Sequence, residues 1–249
     1  MVTLKSRDEI EKLRYANVLV AEFFEIVGEN IQPGASTFDL EELSEQFITE
    51  KNVESAFKGY MGYPANLCVS VNDEVVHGIP SKEKILKEGD IVSIDFGLKR
   101  EGFYGDSAKT YPVGKINGEA LRLLKVTEES LAKGIETAKV GNRLYDISHS
   151  IQSHVEKQGF SVVRDFVGHG IGRKLHEEPQ VPNFGEEGRG IKILPGLVIA
   201  LEPMVNQGSY HVEVKSDGWT VTTKDGSLSA HFEHSVAVTE NGTIILSKI

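Results

Sequence analysis

Four runs of residues place apolar side chains at the three- and four-residue spacing of an amphipathic helix. The first run begins at a capping box of the S-x-x-E type and predicts a helix over residues 7–29. The second follows a Pro-Gly break and predicts a helix that ends near residue 51. Two later runs predict helices over residues 119–137 and 144–158.

Between and after these helices, apolar residues form the short runs that are typical of strands. Such runs occupy Leu67–Val71, Ile91–Phe96 and Phe103–Val113, and the chain beyond residue 162 consists mostly of short strands and glycine-rich turns. The order helix, helix, strands therefore occurs twice. We expect an α+β protein made of two similar halves.

The two halves align at one fixed offset of 107 residues. This shift carries the helix start at residues 34–40 onto residues 141–147, and the strand IVSID (91–95) onto VIALE (198–202). One offset that matches both a helix start and a strand predicts two α/β halves related by a pseudo-twofold axis. The boundary between them is expected near residue 115.

Carboxylates end two of the apolar strands, and Asp95 and Glu202 occupy equivalent places in the two halves. The turn at residues 99–102 predicts a hairpin centred after Arg100, which would place Asp95 directly opposite Asp106. Like charges so close are unfavourable, so the pair predicts a bound cation. A register shifted by one residue would instead put the two aspartates on opposite faces.

Two more residues join this group. Glu233 precedes the last predicted strand, and His169 lies between glycines in VGHGIGRKLHEEP (167–179), a stretch that by itself also fits a flexible surface loop. Four carboxylates and one imidazole suit two bridged divalent ions of the Mn, Fe(II), Co or Zn type. Calcium and magnesium recruit histidine less readily, and a structural zinc site needs more cysteines.

Composition excludes several classes of protein. The 249 residues include 27 basic and 37 acidic side chains, and no basic cluster exceeds two adjacent residues, so nucleic acid is not the expected substrate. The single cysteine, Cys68, excludes an internal disulfide and fits a reducing cytosol. We expect neither a membrane span nor a processing signal, because no long apolar segment occurs.

The ordered set Asp95, Asp106, His169, Glu202 and Glu233 resembles the dimetal site of methionine aminopeptidases and, more widely, of the pita-bread metallopeptidases, which include aminopeptidase P and prolidase. The similarity to type I methionine aminopeptidases runs essentially end to end, and its motifs are VNDEVVHGIP (71–80), IDFG (94–97), DSAKTYPVG (106–114), GHGIGRKLHEEPQVPNF (168–184), ALEPMV (200–205) and KSDGWTVTTKDGSLSAHFEHSVAVTENG (215–242). Only 25 residues separate the second histidine of this region from Glu202, which leaves no room for the type II insert.

The resemblance, to the short bacterial-style form, implies one catalytic domain over residues 1–249 with the pita-bread fold. In that fold, two pseudo-twofold-related α/β halves share a central curved antiparallel sheet flanked by helices. The implied activity is removal of the initiator methionine from nascent polypeptide N-termini, with a small second residue preferred. The implied protein is a cytoplasmic monomer that contacts ribosomes transiently and has no membrane partner.

The resemblance also assigns two divalent metal ions. Asp95 would hold one metal, Asp106 and Glu233 would bridge both, and His169 and Glu202 would bind the other. A water shared by two metals is a nucleophile at neutral pH, and a metal-bound substrate amine would restrict cleavage to chain ends. Glu202 would then shuttle the proton.

By the same resemblance, His176 would donate to the oxyanion, and His77 would contact the scissile amide nitrogen or the leaving residue. His77 alone equally fits a satisfied loop histidine. The family further implies a monovalent cation held by backbone carbonyls near Asn72, Glu74 and Ser229, which nothing in the sequence itself indicates.

The pocket for the methionine side chain must be apolar and closed at its end. The substrate-binding residues implied by the family are Phe57, Tyr60, Tyr63, Cys68, His77, Leu175, His176 and Trp219. Apart from the histidines, these also fit an ordinary core. Three positions depart from the family pattern, because Phe57 replaces a small residue, Leu175 replaces Phe, and His231 stands where Gln is common.

Two alternatives use the same fold. An X-Pro aminopeptidase would employ the same metals, but the chain length and the aromatic pocket residues favour methionine. A non-catalytic pita-bread binding protein would have lost its metal ligands, whereas this chain retains all five.

Overall fold

The computed structural model describes residues 2–249. The helices lie where the hydrophobic spacing predicts them: α1 Arg7–Asn30, α2 Thr37–Lys51, α3 Gly118–Thr137 and α4 Leu144–Lys157. A single 3₁₀ turn covers Tyr60–Gly62. Within residues 2–249, none of the helices has the length and apolar character needed to cross a membrane.

The strands are short except for the two that form the predicted hairpin. They are β1 Glu54–Ser55, β2 Leu67–Val71, β3 Glu74–Val76, β4 Ile91–Arg100, β5 Phe103–Pro112, β6 Ser161–Val162, β7 Gly168–Gly170, β8 Glu177–Val181, β9 Val198–Leu201, β10 Met204–Asn206, β11 Val212–Val214, β12 Val221–Thr223, β13 Ser229–His231, β14 Glu233–Thr239 and β15 Gly242–Ile245.

The largest sheet is antiparallel, with the strand order β1-β4-β5-β14-β9-β7-β8, and β2 and β15 also pair with β4 and β14. The two halves of the chain meet where β5 pairs with β14. Two smaller sheets, β13-β10-β6 and β11-β12-β3, complete the β structure. The middle of the large sheet is therefore built from both halves.

Side chains along β4 alternate between the apolar core and the opposite face of the sheet. Val92, Ile94, Phe96 and Leu98 belong to an apolar cluster with residues of α1 and α2. Because successive strand residues point to opposite faces, the intervening Asp95 lies on the face away from these helices. A second cluster packs α3 and α4 against β9 and β14 in the same way.

The predicted offset of 107 residues holds in the backbone. Helices α2 and α4 begin at equivalent positions, and each has a first-turn aspartate that accepts from the backbone of the capping residue. An isolated bridge joins Ser36 to Ile85 in the first half, and its counterpart joins Arg143 to Lys192 in the second. The same offset therefore relates individual backbone contacts in the two parts of the chain.

The predicted register of the hairpin between β4 and β5 was wrong by two positions. The turn consists of Glu101 and Gly102, whose φ angles of 49° and 81° match the positive values of a two-residue hairpin turn. Asp95 consequently lies opposite Ala108 and not opposite Asp106. A shift of two residues preserves the face, so both aspartates still project to the same side.

Candidate active site

Strand pairing puts two carboxylates in one row across the middle of the sheet. Asp95 on β4 and Glu233 on β14 both pair with Ala108 of β5, from opposite sides. The side chains of such a row share a face. The methyl group of Ala108 is small, so space remains between the two carboxylates.

The neighbouring row brings in the histidine. His169 pairs with Ala200 and Ala200 with Ser235, whose hydroxyl donates to the backbone carbonyl of Asp106 at 2.9 Å. Glu202 follows two residues after Ala200 and joins the same face. Nε2 of His169 lies 3.5 Å from Oε1 of Glu202 and 3.9 Å from Oδ2 of Asp106.

A glycine opposite Asp106 is required by close packing. Gly97 is its cross-strand partner, and a Cβ there would lie 2.9 Å from the ring of Phe57 and 3.2 Å from Oδ1 of Asp106. The sheet thus brings an aromatic side chain and the carboxylate cluster together over the backbone of Gly97.

Loss of hydration dominates the electrostatics of the carboxylates. Burial raises the pKa of Asp95 to about 7, with His231 opposing and Glu202 adding to the shift, and burial raises the pKa of Glu202 to about 8. Burial also raises the pKa values of Asp106 and Glu233 well above their usual range, and the neighbouring carboxylates add to this. The cluster holds protons more tightly than free carboxylates do, first because burial removes water from the charged forms and second because the carboxylates repel one another.

The tautomer of His169 follows from its backbone contact. Nδ1 lies 2.9 Å from the carbonyl oxygen of Gly170. Because a carbonyl only accepts, Nδ1 carries the hydrogen and Nε2 presents a lone pair to the carboxylates. Burial lowers the pKa of His169 to about 3, and nearby His176 adds to the shift, so the ring is neutral and suited to bind a metal.

The donor set fits divalent metal ions. Ligand atoms of Asp106, His169 and Glu233 all lie within 4.8 Å of one another. Among the described residues, Oδ1 of Asp95, Oδ1 of Asp106 and Oε1 of Glu233 are buried without a hydrogen-bond partner. Such atoms are rare in proteins unless a cation or water satisfies them. Hard oxygens with one imidazole nitrogen match the Mn, Fe(II), Co or Zn class.

A cavity of about 170 Å³ adjoins this cluster. Its lining includes the four carboxylates and His169. The rest of the lining consists of every predicted substrate-binding side chain together with Met61, which was not predicted: Phe57, Tyr60, Met61, Tyr63, Cys68, His77, Leu175, His176 and Trp219. Cys68 is the cross-strand partner of Asp95, so the apolar wall continues directly from the cluster.

Two histidine side chains, His77 and His176, line the cavity beside the cluster. His176 lies with its ring centroid 4.3 Å from that of His169, and its Nδ1 is 2.8 Å from the hydroxyl of Tyr60. His77 contacts Trp219 and Phe166 edge-on, with centroids 6.3 Å and 5.5 Å away. Burial lowers the pKa of His77 to about 4, so its imidazole is neutral at physiological pH.

Comparison with known proteins agrees with this arrangement. The metallopeptidase family M24 matches residues 11–240. The chain belongs to this family. It is 53% identical over 249 residues, all of both chains, to a methionine aminopeptidase of Clostridium perfringens. It is 51% identical over 247 residues, 99% of both chains, to the methionine aminopeptidase of Clostridium acetobutylicum.

The crystal structure of a methionine aminopeptidase from Thermotoga maritima superposes with a TM-score of 0.98 at 50% identity, over all of both chains. The predicted α+β pita-bread fold is therefore confirmed: helices flank a curled antiparallel sheet.

Close backbone packing requires glycines beside His169. For the motif GHGIG (168–172), the prediction is that Gly168, Gly170 and Gly172 let backbone and substrate pass close to the metals. A Cβ at Gly168 would lie 2.4 Å from the carbonyl oxygen of Ala200, and one at Gly170 would lie 2.3 Å from that of Glu178. Gly168 and Gly170 therefore allow β7, which carries His169, to pack closely against β8 and β9, whereas the passage of substrate stays a prediction.

The positions of two residues near the cluster were not predicted from the sequence. Met61 lines the cavity although it is 84% exposed. The one feature of the sequence that marks this loop is the pair of glycines, Gly59 and Gly62, that flank Tyr60 and Met61. His231, at the position where Gln is common, has Nε2 3.6 Å from Oε2 of Glu202. Burial lowers the pKa of His231, which Asp95 opposes.

Proposed function

We propose that the chain is a metalloaminopeptidase that removes the N-terminal methionine from nascent proteins and peptides, preferentially before a small second residue. One observation carries this proposal: the buried carboxylate cluster and the apolar cavity form one continuous space, joined at the pair Asp95 and Cys68. A cavity of about 170 Å³ beside the cluster accommodates a single side chain, as the binding of an N-terminal methionine requires.

Two divalent ions would complete the proposed site, and Asp95, Asp106, His169, Glu202 and Glu233 are the residues that would hold them. When bound, they supply an activated nucleophilic water and polarise the scissile carbonyl. Cobalt, manganese, iron or zinc would satisfy these donors, and availability decides among them. A monovalent cation near Asn72, Glu74 and Ser229 remains a prediction.

Three side chains are proposed to act on the substrate. Glu202 accepts a proton from the nucleophile and returns it to the leaving amine. His176 donates to the carbonyl oxygen as it gains negative charge, and its contact with Tyr60 orients the ring for this task. His77 contacts the leaving residue.

The apolar end of the cavity is proposed to select methionine. Tyr63 and Trp219 meet edge-on with centroids 5.1 Å apart, and Phe57 and Leu175 belong to the same cluster. A thioether sulfur packs favourably against aromatic ring edges. The hydroxyl of Tyr63 donates to the carbonyl of Gly78 at 3.0 Å, so it presents no free donor to the substrate.

We further propose that residues 1–249 act as one catalytic domain and as a cytoplasmic monomer that contacts ribosomes transiently. The single buried cysteine supports a reducing compartment.

The decisive experiment loads metal-stripped protein with each candidate ion and measures release of methionine from Met-Ala-Ser. Turnover is expected with metal, and N-acetylated Met-Ala-Ser is expected to stay intact because it lacks the free amine. Metal-loaded protein that leaves Met-Ala-Ser uncleaved would contradict the proposal. In competition, faster release of alanine from Ala-Pro-Ala would favour the X-Pro alternative.

A further inference from the structure

His231 faces the carboxylate cluster from β13, and the proposed reaction gives it no task. Its side chain is 1% exposed, and among residues 2–249 its Nε2 has no hydrogen-bond partner. An unsatisfied buried donor costs about 1–3 kcal/mol. The nearest acidic atom to this nitrogen is Oε2 of Glu202, at 3.6 Å.

Hydrogen bonds hold the backbone of His231 in place. The amide of His231 donates to the hydroxyl of Thr110 at 2.9 Å, and that hydroxyl also lies 2.9 Å from the carbonyl oxygen of His231. Ser93 is within 2.8 Å of the same hydroxyl. Buried contacts from both strands of the hairpin therefore fix the backbone of β13 at His231, beside the cluster.

Glu202 lies between two imidazoles that face different oxygens. Oε1 is 3.5 Å from Nε2 of His169, and Oε2 is 3.6 Å from Nε2 of His231. The lone pair on Nε2 of His169 points toward Oε1 of Glu202, so a metal bound by both residues would lie beside Oε1. Because a carboxylate oxygen only accepts, the nitrogen of His231 that faces Oε2 fits this place when it carries the hydrogen.

We propose that His231 donates its Nε2–H to Oε2 of Glu202 in the metal-bound protein, which keeps Oε1 turned toward His169 and the metal. The distance must close from 3.6 Å to about 2.9 Å, which a small rotation of the carboxylate achieves. His231 is a positioning residue, since it acts through Glu202. The inference rests on the proposed metal site. Only a bound metal gives the two oxygens of Glu202 different partners, with Oε1 toward the metal and Oε2 toward His231.

The test measures metal affinity and does not depend on turnover. His231→Leu removes the donor, whereas His231→Gln can place an amide N–H near the position of Nε2. Loss of such a supporting contact typically weakens metal binding by about 10–100-fold. Calorimetric titration of metal-stripped protein should show that weakening for His231→Leu, and His231→Gln should recover most of it.

His234→Leu is the matched control. It removes another partly buried imidazole, one residue from Glu233, but its ring contacts Ser247 at 2.8 Å. Its metal affinity should equal that of the unaltered chain. Circular dichroism of each variant before titration ensures that folded protein is compared.

The outcomes separate this inference from the proposed function. If His231→Leu binds metal as tightly as the unaltered chain, or His231→Gln no better than His231→Leu, the inference fails. If paramagnetic NMR of the cobalt-loaded protein shows two metal-bound imidazoles, His231 is a ligand and the positioning role is overturned. An unaltered chain that binds no divalent metal would overturn both claims, while one that binds metal without cleaving Met-Ala-Ser would overturn the proposed function only.

Discussion

The phenolic oxygen of Tyr60 lies 2.8 Å from Nδ1 of His176, and this contact leaves Nε2 as the nitrogen available to a substrate. Tyr60 comes from the 3₁₀ turn of the first half and His176 from the loop before β8 in the second. A hydrogen bond thus links the first and second halves of the chain in the lining of the cavity.

Tyr60→Phe should lower the turnover number for Met-Ala-Ser by about 3–10-fold, which corresponds to the loss of one hydrogen bond. The effect should fall on kcat more than on KM, because the donor acts on the developing oxyanion. Tyr15→Phe, at an exposed position on α1, is the control and should leave both constants unchanged. A Tyr60→Phe protein with unaltered kcat would show that this contact does not orient His176.

Gly170→Ala should destabilise the fold by about 1–3 kcal/mol, since overpacked sites cost that much. Its Cβ would lie 2.3 Å from the carbonyl oxygen of Glu178, which belongs to β8 and cannot move without disturbing the sheet. Gly118→Ala is the control, because nothing lies within 4 Å of a Cβ there. Urea denaturation of both variants measures the difference, and equal midpoints would contradict the packing role.

Asp106→Asn should change stability and activity in opposite directions. Turnover should fall by more than about 100-fold, because a metal ligand is lost. The metal-stripped variant should be more stable than the unaltered metal-stripped chain at pH 8, by about 1 kcal/mol or more, because one member of a mutually repelling cluster is neutral. Thermal unfolding in chelator measures the second effect. Glu178→Ala, at an exposed carboxylate, should change neither quantity.

Metal removal should make stability depend on pH with a defined sign. The pKa values of Asp95 and Glu202, about 7 and about 8, exceed their unfolded values, so the folded metal-free chain binds more protons between about pH 4 and pH 8. Its free energy of unfolding should therefore fall as pH rises through that window, on the order of a few kcal/mol.

Bound metal replaces those protons, so the loaded protein should lose this slope and become more stable at higher pH. Urea midpoints at pH 5.5 and pH 8.5, with chelator or with metal, provide the comparison. A chelated protein that is more stable at pH 8.5 than at pH 5.5 would show that the cluster does not control the dependence.

The sequence by itself determined the elements and the donor set. Capping boxes and helical spacing set the ends of α1 and α2 to within one or two residues, because these signals are local. The offset of 107 residues revealed the two halves, and apolar strands ending in Asp95 and Glu202 pointed to a cation, since a buried carboxylate needs a counter-charge.

Only the tertiary structure decided how these parts meet. The hairpin register depended on which residues adopt positive φ, and the turn lies at Glu101 and Gly102, one residue later than its composition indicated. The glycines beside His169 predicted a close backbone approach, but only the strand pairing showed that the carbonyl groups of Ala200 and Glu178 are the ones that approach them. His231 lies 3.6 Å from Glu202 because the strand pairing brings β13 beside the cluster, and contacts between residues far apart in sequence leave no local pattern.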